Sequence, residues 1–412
     1  MLRTDVVVIG ASQAGLAASR ELSARGIAHV LLERGRVAER WRTATWDSLR
    51  LLTPNWMTRL PDWQYRGSDP DGFMARDEVI RFFSSYAGAV AAPIISESPV
   101  LRLGGSPGDF RVETPSASWR CRAVVIATGQ CEHPAIPDSS AWLSRWITQV
   151  HSSAYRNPAM LPPGNVLVVG ASASGVQIAH ELAAAGRNVT LAVGRYTSAP
   201  RQLFGRDIYW WLDRLGILDE RVDALEDFAR AYRQPSLQLA GRTDGLNLDL
   251  ATLQASGIRL VGRLAAMDDR RVYFAGTLAD CVRHAEAKRA RLVARIAAFA
   301  RAAGEKVSEL PLERPLVLAP VPHQLDLHEV GVSTVVWATG FSRRYDWIDL
   351  PVTDAAGDLL HVEGALPVGG LYALGLRLMR SRRSHFIDGV GADAAFIAGR
   401  IAQDFGGRRN AA

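Results

Sequence analysis

VVVIGASQAG, residues 6–15, returns as VLVVGASASG at residues 166–175. Each stretch is a short apolar run rich in valine that reaches a glycine and continues into Ala-rich sequence. Glu21, Leu22 and Gly26 after the first copy recur as Glu181, Leu182 and Gly186 at the same offsets, so the duplicated unit is strand, tight turn and helix. Such a unit holds a dinucleotide pyrophosphate. The turn lets the backbone approach the phosphates, and the helix start offers unsatisfied N–H groups and the positive end of its dipole.

Both copies depart from G-x-G-x-x-G at the middle position, where Ser12 and Ser172 replace glycine. A serine Cβ holds a phosphate slightly farther from the chain, while its hydroxyl can donate to a phosphate oxygen. The candidate phosphate cradles are therefore Gly10, Ser12, Gln13, Ala14 and Gly15 in copy one, and Gly170, Ser172, Ala173, Ser174 and Gly175 in copy two. The strand AHVLLE after the first helix ends in Glu33, whose carboxylate suits the hydroxyls of an adenosine ribose, with Arg34 beside it. In copy two NVTLAV brings Val193 to that offset, and Arg195 and Arg201 follow with no acid nearby. A guanidinium holds a 2′-phosphate bidentately where a carboxylate would repel it, so copy two reads as the NADPH site. The competing reading of Arg195 is a solvated loop arginine.

A second duplication, CRAVVIATG (121–129) and VSTVVWATG (332–340), adds Thr128, Gly129, Ala338, Thr339 and Gly340 to the candidate residues. Two buried strands with the same ending predict an interleaved α/β architecture of two Rossmann-like domains. The first is expected at 1–158 plus 325–412, with the NADPH domain, 159–324, inserted into it and a helical insertion around 205–310.

Composition removes other classes. The chain has 412 residues, 48% of them hydrophobic and 22% charged, as in an ordinary globular protein. Asp5 and the following strand pattern fit a folded first strand better than an export signal, and no apolar run reaches about 20 residues, so a cytoplasmic location and no membrane span are expected. The net charge of +6 comes from scattered arginines without aromatic interleaving, which argues against a nucleic-acid partner. Lys288 and Lys306 are the only lysines, and no GxxxxGK[ST] loop occurs. Cys121, Cys131 and Cys281 form neither a C-x-x-C pair nor a metal-binding spacing, which argues against a dithiol reductase and a metal site.

On these features, together with Trp41-Arg42 and LYALGL (371–376), the chain resembles the class B flavin-containing monooxygenases and their Baeyer–Villiger relatives along nearly its whole length. The resemblance implies FAD on copy one and NADPH on copy two. It also implies a reduced flavin that takes up O2 at C4a and passes one oxygen atom to a small organic substrate, by N- or S-oxygenation. The family's linker motif is partly present in RWITQVHSSAY, where His151 and Tyr155 keep their spacing, while Arg156 occupies the place at which Baeyer–Villiger enzymes carry aspartate. The family's flavin-side asparagine falls in LLTPNWM, one residue late at Asn55, so Leu52 and Thr53 are alternative lining residues. Asn55 and His151 are the catalytic candidates. Asp388 and Gly389, ahead of a C-terminal Ala-rich helix, are expected at the flavin. In the insertion, CVRHAEAKRARLVARIAAFARAAG reads as a cover helix, with Trp210 and Trp211 in a core or at a substrate entrance. Ketone oxygenation, a plain NADPH oxidase or reductase, and a non-catalytic flavoprotein sensor remain as alternatives. The oligomeric state is open, a homodimer included.

Overall fold

The computed structural model describes residues 1–242, 244–308, 316–318, 320 and 322–409. Two five-stranded parallel sheets organise them. In the first, the strand order is Leu371–Ala373, Ala123–Ile126, Val6–Ile9, His29–Leu32 and Ile94–Ile95. In the second it is Thr148–His151, Val332–Trp337, Asn165–Val169, Val189–Ala192 and Arg259–Val261. Both Val6–Ile9 and Val166–Val169 are fully buried, as expected of a parallel sheet covered on both faces. The helices Gln13–Ser23 and Ala173–Ala184 leave the duplicated strands. The fold is α/β, with the second Rossmann-like unit inserted into the first.

The crossing points differ from the expected boundaries. Thr148–His151 and Val332–Trp337 would fall in the first domain if the chain changed units near 158 and 325, yet both strands belong to the second sheet. The chain instead crosses through His133–Pro134 and returns through Phe341–Ser342, and these two connectors pair antiparallel. The insertion is also not purely helical. Arg259–Val261 completes the second sheet, and Leu264–Met267 and Arg271–Phe274 form an antiparallel pair beside it.

The expected cover helix spans Leu278–Ala302. Its first half contributes Leu278, Val282 and Ala285 to the core of the second unit. Its second half places Ile296 and Ala300 in a separate cluster with Met57, Leu203, Ile208 and Trp211. Trp211 is core, 1% exposed, and its indole donates to the Leu203 carbonyl at 2.8 Å. Trp210 is half-buried, with the guanidinia of Arg206 and Arg214 over its ring. No helix among the described residues is long and apolar enough to cross a membrane.

Candidate active site between two nucleotide crooks

Both crooks are built from the same steric conditions. Gly10 and Gly170 share a φ of +108°, and a Cβ on either would lie 2.6 or 2.4 Å from the carbonyl oxygen of Ala127 or Ala338. A Cβ on Gly15 or Gly175 would lie 1.8 Å from the carbonyl oxygen of Gly10 or Gly170. The ATG duplication thereby acquires a physical role: its alanine closes the back of each glycine turn.

The two units open onto one cleft of about 1950 Å³. Small-molecule sites commonly measure about 300–1,000 Å³, so there is room for more than one ligand. From the first unit the cleft receives Gly10, Ser12, Gln13 and Ala14, then Glu33 and Arg34. Trp41, Leu52, Thr53, Thr128 and Gly129 also line it. The Glu33 carboxylate is 8% exposed and accepts the N–H groups of Ala11 at 2.7 Å and Gly35 at 3.1 Å. The Thr128 hydroxyl is buried with no hydrogen-bond partner. An orphaned hydroxyl beside a tight turn that only glycine can make at Gly10 and Gly15 fits a phosphate-bearing cofactor.

From the second unit come Ala173, Ser174 and Arg195, and the insertion adds Arg230, Lys288 and Arg291. Burial lowers the Lys288 pKa, and the charges of Arg230, Arg291 and Arg195 lower it further. Sequence reading found Arg195 alone. The other cations lie far along the chain from the crook, and the only signal was that one of just two lysines occurs there. Crook two is also more enclosed than crook one: the Ser172 hydroxyl donates to the Ser236 carbonyl at 3.0 Å, and the Gln238 amide donates to the Ala171 carbonyl at 2.5 Å.

Several expected site residues lie elsewhere. Arg201 is 1% exposed and does not line the cleft; it pairs with Asp207, donates to the Leu52 carbonyl at 2.8 Å and stacks over Phe73. With its guanidinium engaged inside the protein, it is no phosphate ligand. Asn55 is likewise buried outside the cleft, donating to the Asp69 carbonyl at 2.9 Å and accepting the Met74 N–H at 2.8 Å. It stitches a turn together.

His151 has both ring nitrogens occupied. Nδ1 accepts the Ser153 N–H at 3.1 Å, which leaves Nε2 to donate to the Gly340 carbonyl at 2.9 Å. Burial lowers its pKa, so it is a neutral staple between the end of the strand Thr148–His151 and the start of the return connector, and not a cleft base. Arg42 turns away to the Val37 carbonyl and the Ser84 hydroxyl, and its neighbour Arg40 faces the cleft instead. Ala338, Thr339 and Gly340 sit behind crook two, where the Thr339 hydroxyl donates to the Ala135 carbonyl at 2.5 Å.

Asp388 and Gly389 also miss the cleft, although His385, Phe386 and Ile387 reach it. The Asp388 carboxylate lies 3.2 Å from Arg383 and 3.6 Å from Arg59, and burial pushes its pKa up to about 6 against the pull of both arginines. His385 is held by its carbonyl, which accepts the Gln13 amide at 2.9 Å. Burial and the charge of Arg377 push its imidazole down to about 3, so it faces the cleft neutral.

The cysteines are free. Burial raises Cys121 to about 12 and also raises Cys131, so neither presents a thiolate at neutral pH.

Comparison with known proteins agrees with this geometry. A family model described as pyridine nucleotide-disulphide oxidoreductase matches residues 7–206. The uncharacterized CzcO-like oxidoreductase of Geobacillus kaustophilus is 33% identical over 401 residues, spanning 96% of this chain and 98% of that protein. The indole-3-pyruvate monooxygenase YUCCA1 of Oryza sativa subsp. japonica is 28% identical over 212 residues, spanning 48% of this chain and 50% of that one. A flavin-containing monooxygenase from Stenotrophomonas maltophilia shares the fold with a TM-score of 0.69, at 20% identity, over 98% of this chain and 99% of that one. Two glycine crooks facing one cleft, with this kinship, make the chain an oxidoreductase of the CzcO-like family, built on the two-unit fold that the flavin-containing monooxygenase shares.

Proposed function

We propose that the chain is an FAD-dependent, NADPH-using monooxygenase that oxygenates the nitrogen or sulfur of a small organic molecule. The observation that carries this reading is the single cleft shared by two sterically equivalent crooks that differ in charge. Crook one, with Glu33 beyond it, suits an adenosine without a 2′-phosphate, hence FAD. Crook two, with Arg195 and Lys288 beyond it, suits NADPH. FAD, when bound, would supply the two-electron chemistry that activates O2. The chain's own share is to hold the two dinucleotides by backbone N–H groups and to exclude water with apolar walls such as Leu52, Leu212 and Phe386.

Heteroatom oxygenation is favoured over ketone insertion by Arg156. At the position of the Baeyer–Villiger aspartate its guanidinium donates to the carbonyls of Thr45, Ser153 and Tyr155, at 3.2, 2.8 and 2.9 Å. No carboxylate occupies that place.

The test is coupling. NADPH should reduce the protein-bound flavin without air, and under air a panel of amines and sulfides should contain a compound whose oxygenation accounts for the NADPH consumed. Stoichiometric hydrogen peroxide with every compound overturns the reading and leaves an oxidase.

A further inference from the structure

The loop from Arg377 to Arg383 carries four arginines, and three of them meet carboxylates. Arg380 lies 3.3 Å from Asp393 and 3.5 Å from Glu363, and Arg382 pairs with Glu220. Arg383 meets Asp219 at 2.7 Å and Asp388 at 3.2 Å, and also pairs with Asp213. Arg377 differs. Among the described residues it has no carboxylate partner, and its hydrogen bond is a long 3.4 Å contact from Nη2 to the Ala231 carbonyl. It is half-buried and lines the cleft. Burial lowers its pKa, and the charge of Arg382 adds to that, against the opposing influence of the Tyr232 phenol. A guanidinium nonetheless stays protonated in a protein, so a partly desolvated one with no counter-ion calls for an anion from outside.

The surroundings restrict what that anion can be. The dinucleotide phosphates already have their seats, in the backbone of crook one and in crook two with Arg195 and Lys288. The wall around Arg377 has a different character, with Leu378, Phe386, Tyr209 and Leu218 as apolar surface and His385 as a neutral imidazole. Tyr209 and Phe386 meet edge to face with ring centres 5.9 Å apart. The Arg383 N–H donates to the Leu218 carbonyl and the Val222 N–H to the Arg380 carbonyl, both at 3.0 Å, which fixes this wall against the arginine loop. Arg382 lines the same cleft but is paired with Glu220, so the forked cation that faces apolar surface without a carboxylate of its own is Arg377, and it suits an organic acid better than a phosphate ester.

We propose that Arg377 anchors the carboxylate of the substrate, an organic acid whose apolar body lies against Tyr209, Leu218 and Phe386. This deepens the monooxygenase reading and rests on it for the word substrate; the anion site itself does not.

The test uses the FAD-loaded protein and two pairs of probes, 3-phenylpropanoate against 3-phenylpropanamide and octanoate against octanamide, with binding followed by calorimetry. Flavin content and the rate of anaerobic reduction by NADPH are recorded alongside. At least one carboxylate should bind about tenfold or more tightly than its amide, as a charge-assisted bidentate contact implies. Arg377→Gln should erase that preference while leaving amide binding, flavin content and reduction rate within about twofold, and Arg377→Lys should keep part of it.

Equal binding of acids and amides, or no binding of either acid at millimolar concentration, overturns the proposal. So does an Arg377→Gln protein that loses flavin or slows reduction while treating both probe types alike, because the arginine then serves a cofactor. If the wild-type protein holds no flavin or is not reduced, the monooxygenase reading fails by itself. The calorimetric preference still decides the anion site in that case.

Discussion

The two sheets share the order of four of their five strands, but the fifth arrives from opposite directions along the chain. In the first sheet it is Leu371–Ala373, drawn from beyond the insertion; in the second it is Thr148–His151, drawn from before it. The crooks repeat this pattern of sameness and difference. Their glycine geometry agrees almost atom for atom, whereas crook one lies open to the cleft and crook two is covered by the segment bearing Ser236 and Gln238. The glycine turn is repeated as a backbone shape, and on the proposed reading the distinction between ligands is left to whatever side chains cover that shape.

The strongest way to break this comparison is to fill each crook. Gly15→Ala and Gly175→Ala place a methyl at the same 1.8 Å from a carbonyl oxygen, so the local strain is equal. The consequences should differ. Gly15→Ala is expected to purify without flavin. Gly175→Ala should retain flavin and lose about 100-fold or more in its rate of reduction by NADPH, in line with the few kcal/mol that forced overpacking costs. Flavin-to-protein ratio and anaerobic stopped flow read the two outcomes. Loss of flavin from both variants would mean that the crooks do not divide the ligands between them.

Next in size comes a pair of arginines that looked alike in sequence. Arg201→Ala removes one partner of a buried ion pair with Asp207 and should cost about 3–5 kcal/mol of stability, visible as a large fall in Tm with coenzyme preference unchanged. Arg195→Ala lies on the exposed cleft edge and should leave Tm almost untouched. It should raise the KM for NADPH about tenfold while barely affecting NADH, because only the 2′-phosphate loses a charge-assisted contact. Equal effects on both coenzymes would remove Arg195 from the phosphate site and leave the insertion cations to carry it.

What could be read from the sequence follows the same division. The crooks, their parallel sheets and the helix after each were legible because hard-sphere contacts and full burial allow few residue types there. Val6–Ile9, Gly10 and Gly15 have almost no alternatives. Side chains that need a tertiary partner were not legible. Arg201 and Asp207 meet across the hairpin Gln202–Leu203 with Arg206–Asp207, and nothing in their spacing announced it. Asn55 looked like a flavin contact because of its neighbours in sequence, while its amide is consumed by Asp69 and Met74 backbone groups from a loop more than a dozen residues on. Lys288 and Arg291 reach the cleft from a helix whose amphipathic pattern reports packing and says nothing of what its polar face meets.

The smallest expected effect concerns a feature that, among the described residues, the first unit has and the second lacks, the long C-terminal helix Val390–Arg409 packed on Gln13–Ser23. Asp388 sits just ahead of that helix, with a pKa near 6 in the folded chain against an ordinary value of 3.8. A carboxyl raised in this way holds its proton in the folded state after the unfolded chain has released it. The stability it contributes is therefore fully present below about 3.8 and is lost as pH rises through about 6. Carboxylates held below their usual range by arginines, such as Asp109 beside Arg120 and Glu363 beside Arg221, act in the opposite sense, so the wild-type melting profile alone does not isolate Asp388. The difference from Asp388→Asn does, since asparagine imitates the protonated form at every pH. The variant should melt above the wild type at pH 8, and the gap should close as pH falls towards 4. A variant that melts below the wild type at pH 8 would mean that the bonds to Arg383 and Arg59 outweigh the burial of the carboxylate, and Asp388 would then be an ordinary ion-pair anchor for the helix that only the first unit carries.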